Sequence, residues 1–97
     1  MKAYELLLLL NPSLDEESRG AVLDKVQGII TADGGVVDTV DGWGKRKLAF
    51  EIEKMTEGDY TLIDFHTAPA AIAELDRVLR ITDSVVRYML VNREDRD

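Results

Sequence analysis

The fold of this chain depends most on one stretch, Gly42-Trp43-Gly44-Lys45-Arg46-Lys47-Leu48-Ala49-Phe50-Glu51-Ile52. Its second half has the period-2 pattern of a strand, and the residues shortly before it, Val36-Val37-Asp38-Thr39-Val40, are also typical of extended chain. Extended segments on both sides of a glycine-flanked basic stretch predict one long strand with a bulge or bend. A separate tight hairpin is the alternative.

On the N-terminal side of this stretch, the sequence predicts a strand followed by a helix. Residues 3–10 are almost continuously apolar and stop abruptly at Asn11-Pro12, as a central strand of a sheet would. Ser13 and Glu16 then fit a capping box at the start of a helix, which Gly34-Gly35 ends. One face of this helix follows a 3.6-residue period through Val22, Val26, Ile29, Ile30 and Asp33.

On the C-terminal side, the pattern predicts a strand, a helix and a final strand. Glu57-Gly58-Asp59 marks a turn, and residues 60–66 form the next strand. Thr67-Ala68-Pro69 opens a second helix, because proline is favoured in a first helical turn. Residues 85–91 form the last strand. The inner face of the second helix carries Ile72, Leu75 and Leu79.

The predicted order β-α-β-β-α-β defines a ferredoxin-like α+β sandwich. In this arrangement both helices cover one face of a four-stranded antiparallel sheet whose spatial order is 2-3-1-4. Residues 1–92 then form a single ferredoxin-like domain of common size. Residues 93–97 form a polar C-terminal tail, which we expect to be frayed.

Charge limits the classes of function that are open to the chain. It has 12 Lys and Arg residues against 19 Asp and Glu residues, a net charge of −7. A negative overall field opposes autonomous, non-specific binding to nucleic acid, because that affinity comes from neutralising phosphates. Lys45-Arg46-Lys47 nevertheless places three cations side by side. We therefore expect a local contact with a negative group, or a nucleic-acid role shared with a basic partner.

Several kinds of site find no support in the sequence. The chain has no cysteine, which excludes disulfides and thiolate metal sites. The longest apolar run, Leu6 to Leu10, is far shorter than the roughly 20 residues of a membrane span or the apolar region of a signal peptide. His66 is the only histidine, and no nucleophile elbow or phosphate-cradling glycine loop appears. The absence of cysteine is what a reducing cytoplasm permits. We expect a soluble, unprocessed chain that is not an enzyme and uses no metal, cofactor or small-molecule substrate.

The sheet is expected to have an apolar open face. Alternation along the first strand places Leu7 and Leu9 on one face and the neighbouring leucines on the other. Whichever set faces the helices, about half a dozen apolar side chains remain on the open face, and an exposed patch of that kind marks a partner. The alternative is a central strand that long neighbours such as Arg87 partly screen. The candidate partner-protein interface is Trp43, Leu7, Leu9, Tyr60, Leu62, Met89 and Val91.

Several motifs occur along the chain in the same order as in a known protein family. The motifs are Tyr4-Glu5, Leu10-Asn11-Pro12-Ser13-Leu14-Asp15, Asp33-Gly34-Gly35, Trp43-Gly44-Lys45-Arg46, Leu48-Ala49-Phe50-Glu51-Ile52, and Leu75-Asp76-Arg77-Val78-Leu79-Arg80-Ile81 leading to Val85-Val86-Arg87. Over nearly its full length the chain resembles the bacterial small-subunit ribosomal protein S6 family, with residues 44–53 corresponding to the family's signature. It departs from the commonest form at Lys47, where arginine is frequent, at Phe50, where tyrosine is usual, and at Glu53, where a lysine often stands.

The resemblance implies a partner of the kind that the charge requires. Members of this family have the ferredoxin-like fold and are structural components of the small ribosomal subunit. The chain is then expected to assemble on the central domain of 16S rRNA together with the small basic ribosomal protein S18, and to be a monomer in isolation. S18 would offset the net charge of −7 while the local cations contact phosphates.

The candidate RNA contacts are cationic side chains. Lys45, Arg46 and Lys47 come first, although alternation points neighbours to opposite faces, so all three are not expected on one phosphate. Arginine is the better ligand because its planar fork binds two oxygens. The alternative is a solvated strand end, where Lys and Arg prevent unwanted pairing. The weaker candidates are Lys2, Arg80, Arg87 and Arg93.

Two of the weaker RNA candidates, and Trp43 of the partner-protein interface, also have structural alternatives. Arg80 would instead cap its helix, and Arg87 would instead pair with Glu5 or Asp64 on a neighbouring strand. Trp43 would pack on its own sheet or on a partner protein rather than stack on a base.

Two other binding classes share this fold. An RNA-recognition module needs glycine, basic residues and aromatic residues on its third strand, and Tyr60-Thr61-Leu62-Ile63-Asp64-Phe65 lacks the first two. A regulatory or small-molecule-binding domain that homo-oligomerises through its open sheet face would use the apolar patch without needing the cations. A stable homodimer in isolation favours that regulatory domain, and a monomer favours the ribosomal interpretation.

Overall fold

The protein folds as a four-stranded antiparallel sheet covered on one face by two helices. The computed structural model describes residues 1–32, 34–52 and 54–96. Its elements are β1 (Lys2–Leu10), α1 (Glu16–Thr31), β2 (Val36–Ile52), β3 (Met55–Thr67), α2 (Pro69–Ile81), β4 (Val85–Asn92) and a short 3-10 turn (Glu94–Arg96). The strand order is β2-β3-β1-β4, which confirms the ferredoxin-like class. The predicted roles of Asp33, Glu53 and Asp97 lie outside the described residues.

The core lies between the helices and one face of the central strand β1. Leu6, Leu8 and Leu10 are completely buried there, and the rings of Tyr4 and Phe65 stack with their centres 5.8 Å apart. Because β1 pairs with β3 on one side and β4 on the other, its apolar run has little contact with water. The other buried members of this core are Val26, Ile30, Ile63, Leu75 and Leu79.

The bulge predicted between the two glycines of β2 is present. The pairing of β2 with β3 shifts between Gly42 and Gly44, and this leaves Trp43 as the unpaired extra residue. Gly44 has a φ of +76°, a left-handed conformation that costs glycine little. A Cβ atom on Gly42 would lie 3.3 Å from Nη2 of Arg19, so the absence of a side chain there leaves room for that guanidinium. β2 is therefore one long strand with a bulge at Trp43, and its register also shifts between Val37 and Thr39 and between Lys47 and Ile52.

The turn predicted at Glu57-Gly58-Asp59 is wrong. β3 begins at Met55, so these three residues lie within the strand, and Lys54, with a φ of +66°, precedes it at the tip of the β2–β3 hairpin. A Cβ atom on Gly58 would overlap Cδ1 of Leu9. The glycine at this position allows a close approach of the hairpin to β1.

The first helix begins slightly later than predicted. Asp15 is its N-cap, with Oδ1 accepting a hydrogen bond from the backbone N–H of Ser18 at 2.7 Å, and this bond lowers the pKa of Asp15. The predicted capping box at Ser13 is wrong, because the Ser13 backbone N–H and hydroxyl both donate to Oδ1 of Asn11, at 3.0 and 2.7 Å. The side chain of Asn11 thus orders the loop before the helix.

The other helix boundaries agree with the glycine and proline signals. α1 ends at Thr31, and Gly34, with a φ of +86°, lies in the loop that follows. Pro69 is the first residue of α2.

A pair of glycine substitutions tests the hairpin packing. Gly58→Ala should lower the free energy of unfolding by about 1–3 kcal/mol, because the added methyl group overlaps the buried Leu9 side chain. Gly28→Ala is the matched control. It should raise that free energy by roughly 0.5–1 kcal/mol, since an exposed helical position with nothing within 4 Å gains only helix propensity. Urea unfolding measures both values, and a Gly58→Ala variant as stable as the parent chain would contradict the packing.

Candidate RNA and partner-protein interface

The cationic segment Lys45-Arg46-Lys47 lies in β2 just after the bulge, and all three residues are exposed. In the backbone register of the hairpin, Lys45 lies opposite Asp59, and Lys47 lies opposite Glu57. Arg46 is opposite a glycine on the other side of the hairpin. The segment therefore presents two lysines toward the α1 side and one arginine toward the open sheet face, as alternation predicts.

The bulge orients Arg46 as well as Trp43. Nε of Arg46 donates a hydrogen bond to the carbonyl oxygen of Trp43 at 3.1 Å. The Trp43 ring lies 6.0 Å from the Tyr60 ring, and its Nε1–H donates to Oδ2 of Asp41 at 3.2 Å. Trp43 thus packs on its own sheet while 40% of it stays exposed. This placement favours the packing alternative and leaves one surface of the indole for a partner.

A partly buried ion pair lies beneath the bulge. Nε of Arg19, from α1, lies 2.7 Å from Oδ2 of Asp59, and Nη2 donates to the hydroxyl of Thr61 at 3.2 Å. The cleft between the start of α1 and the hairpin, about 490 Å³, is lined by both members of the pair and by Lys45. Arg19 was not among the candidates predicted from sequence, because its partner is 40 residues away and no local pattern signals the contact.

A groove of about 240 Å³ lies on the open face of the sheet. Of the predicted interface, Leu7, Leu9, Tyr60 and Met89 line it, and Met89 is 58% exposed. Leu9 is itself buried, since the hairpin covers it. Leu62 and Val91 are half-buried and lie outside the groove lining. Additional lining comes from Leu48, Ala49, Phe50, Ile52, Arg87 and Tyr88.

Phe50 and Leu48 are groove residues that sequence reasoning missed. Phe50 is 69% exposed and lies in the part of the hairpin beyond the end of β1. Period-2 alternation indicates that the two side chains share a face, but it gives no sign that this face lacks a cover. An exposed aromatic ring beside an apolar groove is typical of a protein-binding surface.

The C-terminal turn closes the other end of the open face. Glu5 and Asp64 are directly opposite each other on β1 and β3, where like charges repel. Nη1 of Arg93 lies 3.0 Å from a Glu5 oxygen, and Nη1 of Arg96 lies 2.8 Å from an Asp64 oxygen. Arg93 also pairs with Asp95, which raises the pKa of Arg93. Residues 93–96 are thus held on the sheet, which corrects the expectation of a frayed tail, and Arg93 is engaged within the chain.

The remaining candidate cations are spread over the surface. Lys2 lies exposed at the start of β1. Arg80 forms an ion pair with Asp76 one turn earlier in α2. The hydroxyl of Tyr88 also donates to Asp76, at 2.5 Å, and this bond raises the pKa of Tyr88. Arg87 lies at the edge of the groove and has no ion pair among the described residues.

His66 takes part in a contact between strands. Its Nδ1 lies 2.6 Å from Oδ2 of Asp38, and its Nε2 lies 3.3 Å from the carbonyl oxygen of Arg96. Within residues 1–32, 34–52 and 54–96, no three His, Cys, Asp or Glu side chains cluster closely enough to hold a metal ion. Neither α1 nor α2, the helices of this described part, has the length and apolar composition needed to cross a membrane.

The fold and these surfaces define a ferredoxin-like binding protein with a cationic segment beside an apolar groove. The family profile for ribosomal protein S6 matches residues 3–92. Small ribosomal subunit protein bS6 of Clostridium novyi is 55% identical over 94 residues, which cover 97% of this chain and 99% of the relative. The bS6 protein of Clostridium kluyveri (strain ATCC 8527) is 54% identical over the same length and with the same coverage.

A solved structure agrees with this result. The crystal structure of 30S ribosomal protein S6 from Thermotoga maritima matches with a TM-score of 0.89 at 35% identity, covering 97% of this chain and 89% of that one. The chain belongs to the ribosomal protein S6 family and is a small-subunit ribosomal protein. Membership of this family associates it with the ribosome, in the cytoplasm, in a structural role.

Substitution of two phenylalanines, Phe50 in the groove and Phe65 in the core, compares the contributions of these two regions to stability. Phe50→Ala should change the free energy of unfolding by no more than about 0.5 kcal/mol, because an exposed ring contributes little to folding. Phe65→Ala, which removes a completely buried ring, should cost roughly 3–5 kcal/mol. Urea unfolding compares the two, and a similar decrease in both variants would contradict the exposed position of Phe50.

Proposed function

We propose that the chain binds the central domain of 16S rRNA together with the basic ribosomal protein S18, as a structural component without enzymatic activity. The observation that supports this proposal best is that an acidic chain has a cationic surface and an apolar surface next to each other. A cationic segment lies on one part of the β2–β3 hairpin, and an apolar groove lies beside it on the open face. The net charge of −7 makes a basic protein the natural partner for the rest of the surface.

The RNA contact is assigned to the segment after the bulge. Arg46 is opposite Gly58 and so has no acidic residue directly across the hairpin, which leaves its guanidinium suited to a phosphate. Lys47 is directly opposite Glu57, which offsets part of its charge. Arg46 and Lys45 point to different sides of the hairpin and therefore contact different phosphates. Arg87 at the edge of the groove is a further candidate, and Lys2, Arg80 and Arg93 are weaker ones.

The protein contact is assigned to the groove. It offers an apolar floor from Leu7 and Leu9 and exposed side chains from Phe50 and Met89. Burial of such side chains at the centre of an interface is what supplies most binding energy in protein complexes. Trp43 extends the same surface toward the cationic segment, so that protein and RNA would meet along the hairpin.

Removal of the cations should change how salt affects RNA binding. When Lys45, Arg46 and Lys47 are replaced together by alanine, the slope of log affinity against log salt concentration should fall by about 0.7–0.9 for each phosphate that is no longer neutralised. The measurement is a salt titration of binding to a central-domain rRNA fragment with S18 present.

The control for this titration is Arg77→Ala. Arg77 is an exposed cation on α2 that pairs with Glu74, so its removal should leave the slope unchanged. An unchanged slope in the triple variant would show that its side chains face solvent in the complex.

A charge placed in the groove should weaken the protein contact. Met89→Asp should lower the affinity for S18 at least tenfold, because it places an unpaired carboxylate in an apolar interface. Ile81→Asp is the control, since Ile81 is 63% exposed but lies at the end of α2, away from the groove. Calorimetric titration with S18 compares them, and equal affinities would exclude the groove as the docking surface.

The apolar open face also gives a second candidate function, a regulatory domain that homo-oligomerises through this face. Sedimentation of the isolated chain distinguishes the two. A monomer supports the ribosomal proposal, and a stable homodimer that Met89→Asp dissociates supports the regulatory one.

A further inference from the structure

Lys45 and Asp59 are neighbours that would ordinarily form an ion pair. They are directly opposite each other on β2 and β3 and point to the same side of the hairpin. Cβ atoms of such pairs are about 4.5–5.5 Å apart, and opposite charges there attract. Lys45 nevertheless has no ion pair with any residue in the described part of the chain.

The carboxylate of Asp59 is already occupied by Arg19. Their side chains are only 10% and 25% exposed, and Nε of Arg19 lies 2.7 Å from Oδ2 of Asp59. The second oxygen, Oδ1, is buried and has no hydrogen-bond partner among the described residues. A carboxylate in this position needs a cation, because removal of the only partner of a buried charge is strongly unfavourable.

Arg19 is better placed than Lys45 to supply that cation. It projects from α1, its Nη2 is fixed by the hydroxyl of Thr61, and Gly42 leaves space for its guanidinium. A lysine at an exposed strand position would instead lose much of its conformational freedom on pairing. In the folded protein the arginine therefore holds the carboxylate, and the lysine stays in solvent.

We infer that Arg19 is a positioning residue that keeps Lys45 available for a phosphate by occupying Asp59. This inference rests on the proposed contact between Lys45 and rRNA. Without Arg19, the Asp59 carboxylate captures Lys45, which then no longer neutralises a phosphate although its own side chain is unchanged. The other acidic residues that line the cleft with Lys45 are Asp15, which caps α1, and Glu16, and neither forms an ion pair with it.

The test is a set of variants in the same salt titration with the central-domain rRNA fragment and S18. Arg19→Ala should lower the slope of log affinity against log salt concentration by about 0.7–0.9, the value for one neutralised phosphate. Arg19→Lys, which keeps a cation for the carboxylate, should retain the slope. Asp59→Asn should also retain it, because no carboxylate remains to capture Lys45.

The double variant Arg19→Ala, Asp59→Asn separates this role from a purely structural one. It should restore the slope of the parent chain, whereas a structural role predicts a double variant no better than the worse single one. If Arg19→Ala does not fold, as urea unfolding would show, the double variant carries the test alone. A reduced slope in the folded double variant would overturn the inference.

A further variant distinguishes this inference from the proposed function. Lys45→Ala should lower the slope by the value for one phosphate in the parent chain and cause no further decrease when combined with Arg19→Ala. A lower slope in Lys45→Ala with an unchanged slope in Arg19→Ala would overturn the role of Arg19 alone. An unchanged slope in Lys45→Ala would overturn the proposed binding of a phosphate by Lys45 and this inference with it.

Discussion

The register between β2 and β3 is the constraint on which both candidate surfaces depend. A shift of one residue in a strand pairing moves every side chain to the opposite face. The register shifts between Val37 and Thr39 and again at the bulge between Gly42 and Gly44, and the regular pairing from Gly44 to Lys47 turns Arg46 toward the open face and the two lysines toward α1. The register shifts once more between Lys47 and Ile52, and Leu48 and Phe50 in this part of the strand line the groove. The pairing of the hairpin thus places the cations beside the groove.

Within the described part of the chain, ion pairs engage five of the cations. Arg19, Arg77, Arg80, Arg93 and Arg96 are all engaged in ion pairs within the chain. The cations after the bulge have no such pairs among the described residues, although the net charge is −7. Arg19 is the link between the two groups, because its pairing with Asp59 decides whether Lys45 is neutralised internally. This arrangement leaves three adjacent cations for a partner on an acidic protein.

Much of the fold could be predicted from local patterns, because those patterns reflect local physics. The apolar run from Leu6 to Leu10 indicated a central strand, Pro69 the start of a helix, and the two glycines of β2 a bulge. Gly58 was misinterpreted as a turn, because a glycine required by the close approach of another strand looks the same in sequence as one required by a turn.

The candidate site was predictable only where the sequence itself concentrates charge. The cations after the bulge were evident, but the Arg19–Asp59 pair joins residues 40 positions apart and leaves no local signal. Phe50 was visible as a strand residue, yet its exposure follows from the length by which the hairpin extends beyond β1. Arg93 and Arg96 looked like part of a loose polar tail, because their partners Glu5 and Asp64 are adjacent only in the folded sheet.

The most direct test of the proposed co-dependence on S18 is the affinity for a central-domain fragment of 16S rRNA, measured with and without S18. We predict tight binding only when S18 is present, because the negative field of the isolated chain opposes the contact made by its cationic segment. Equally tight binding without S18 would contradict the claim that the basic partner offsets this charge. An absence of binding in both conditions, together with a homodimer in solution, would contradict the ribosomal proposal itself.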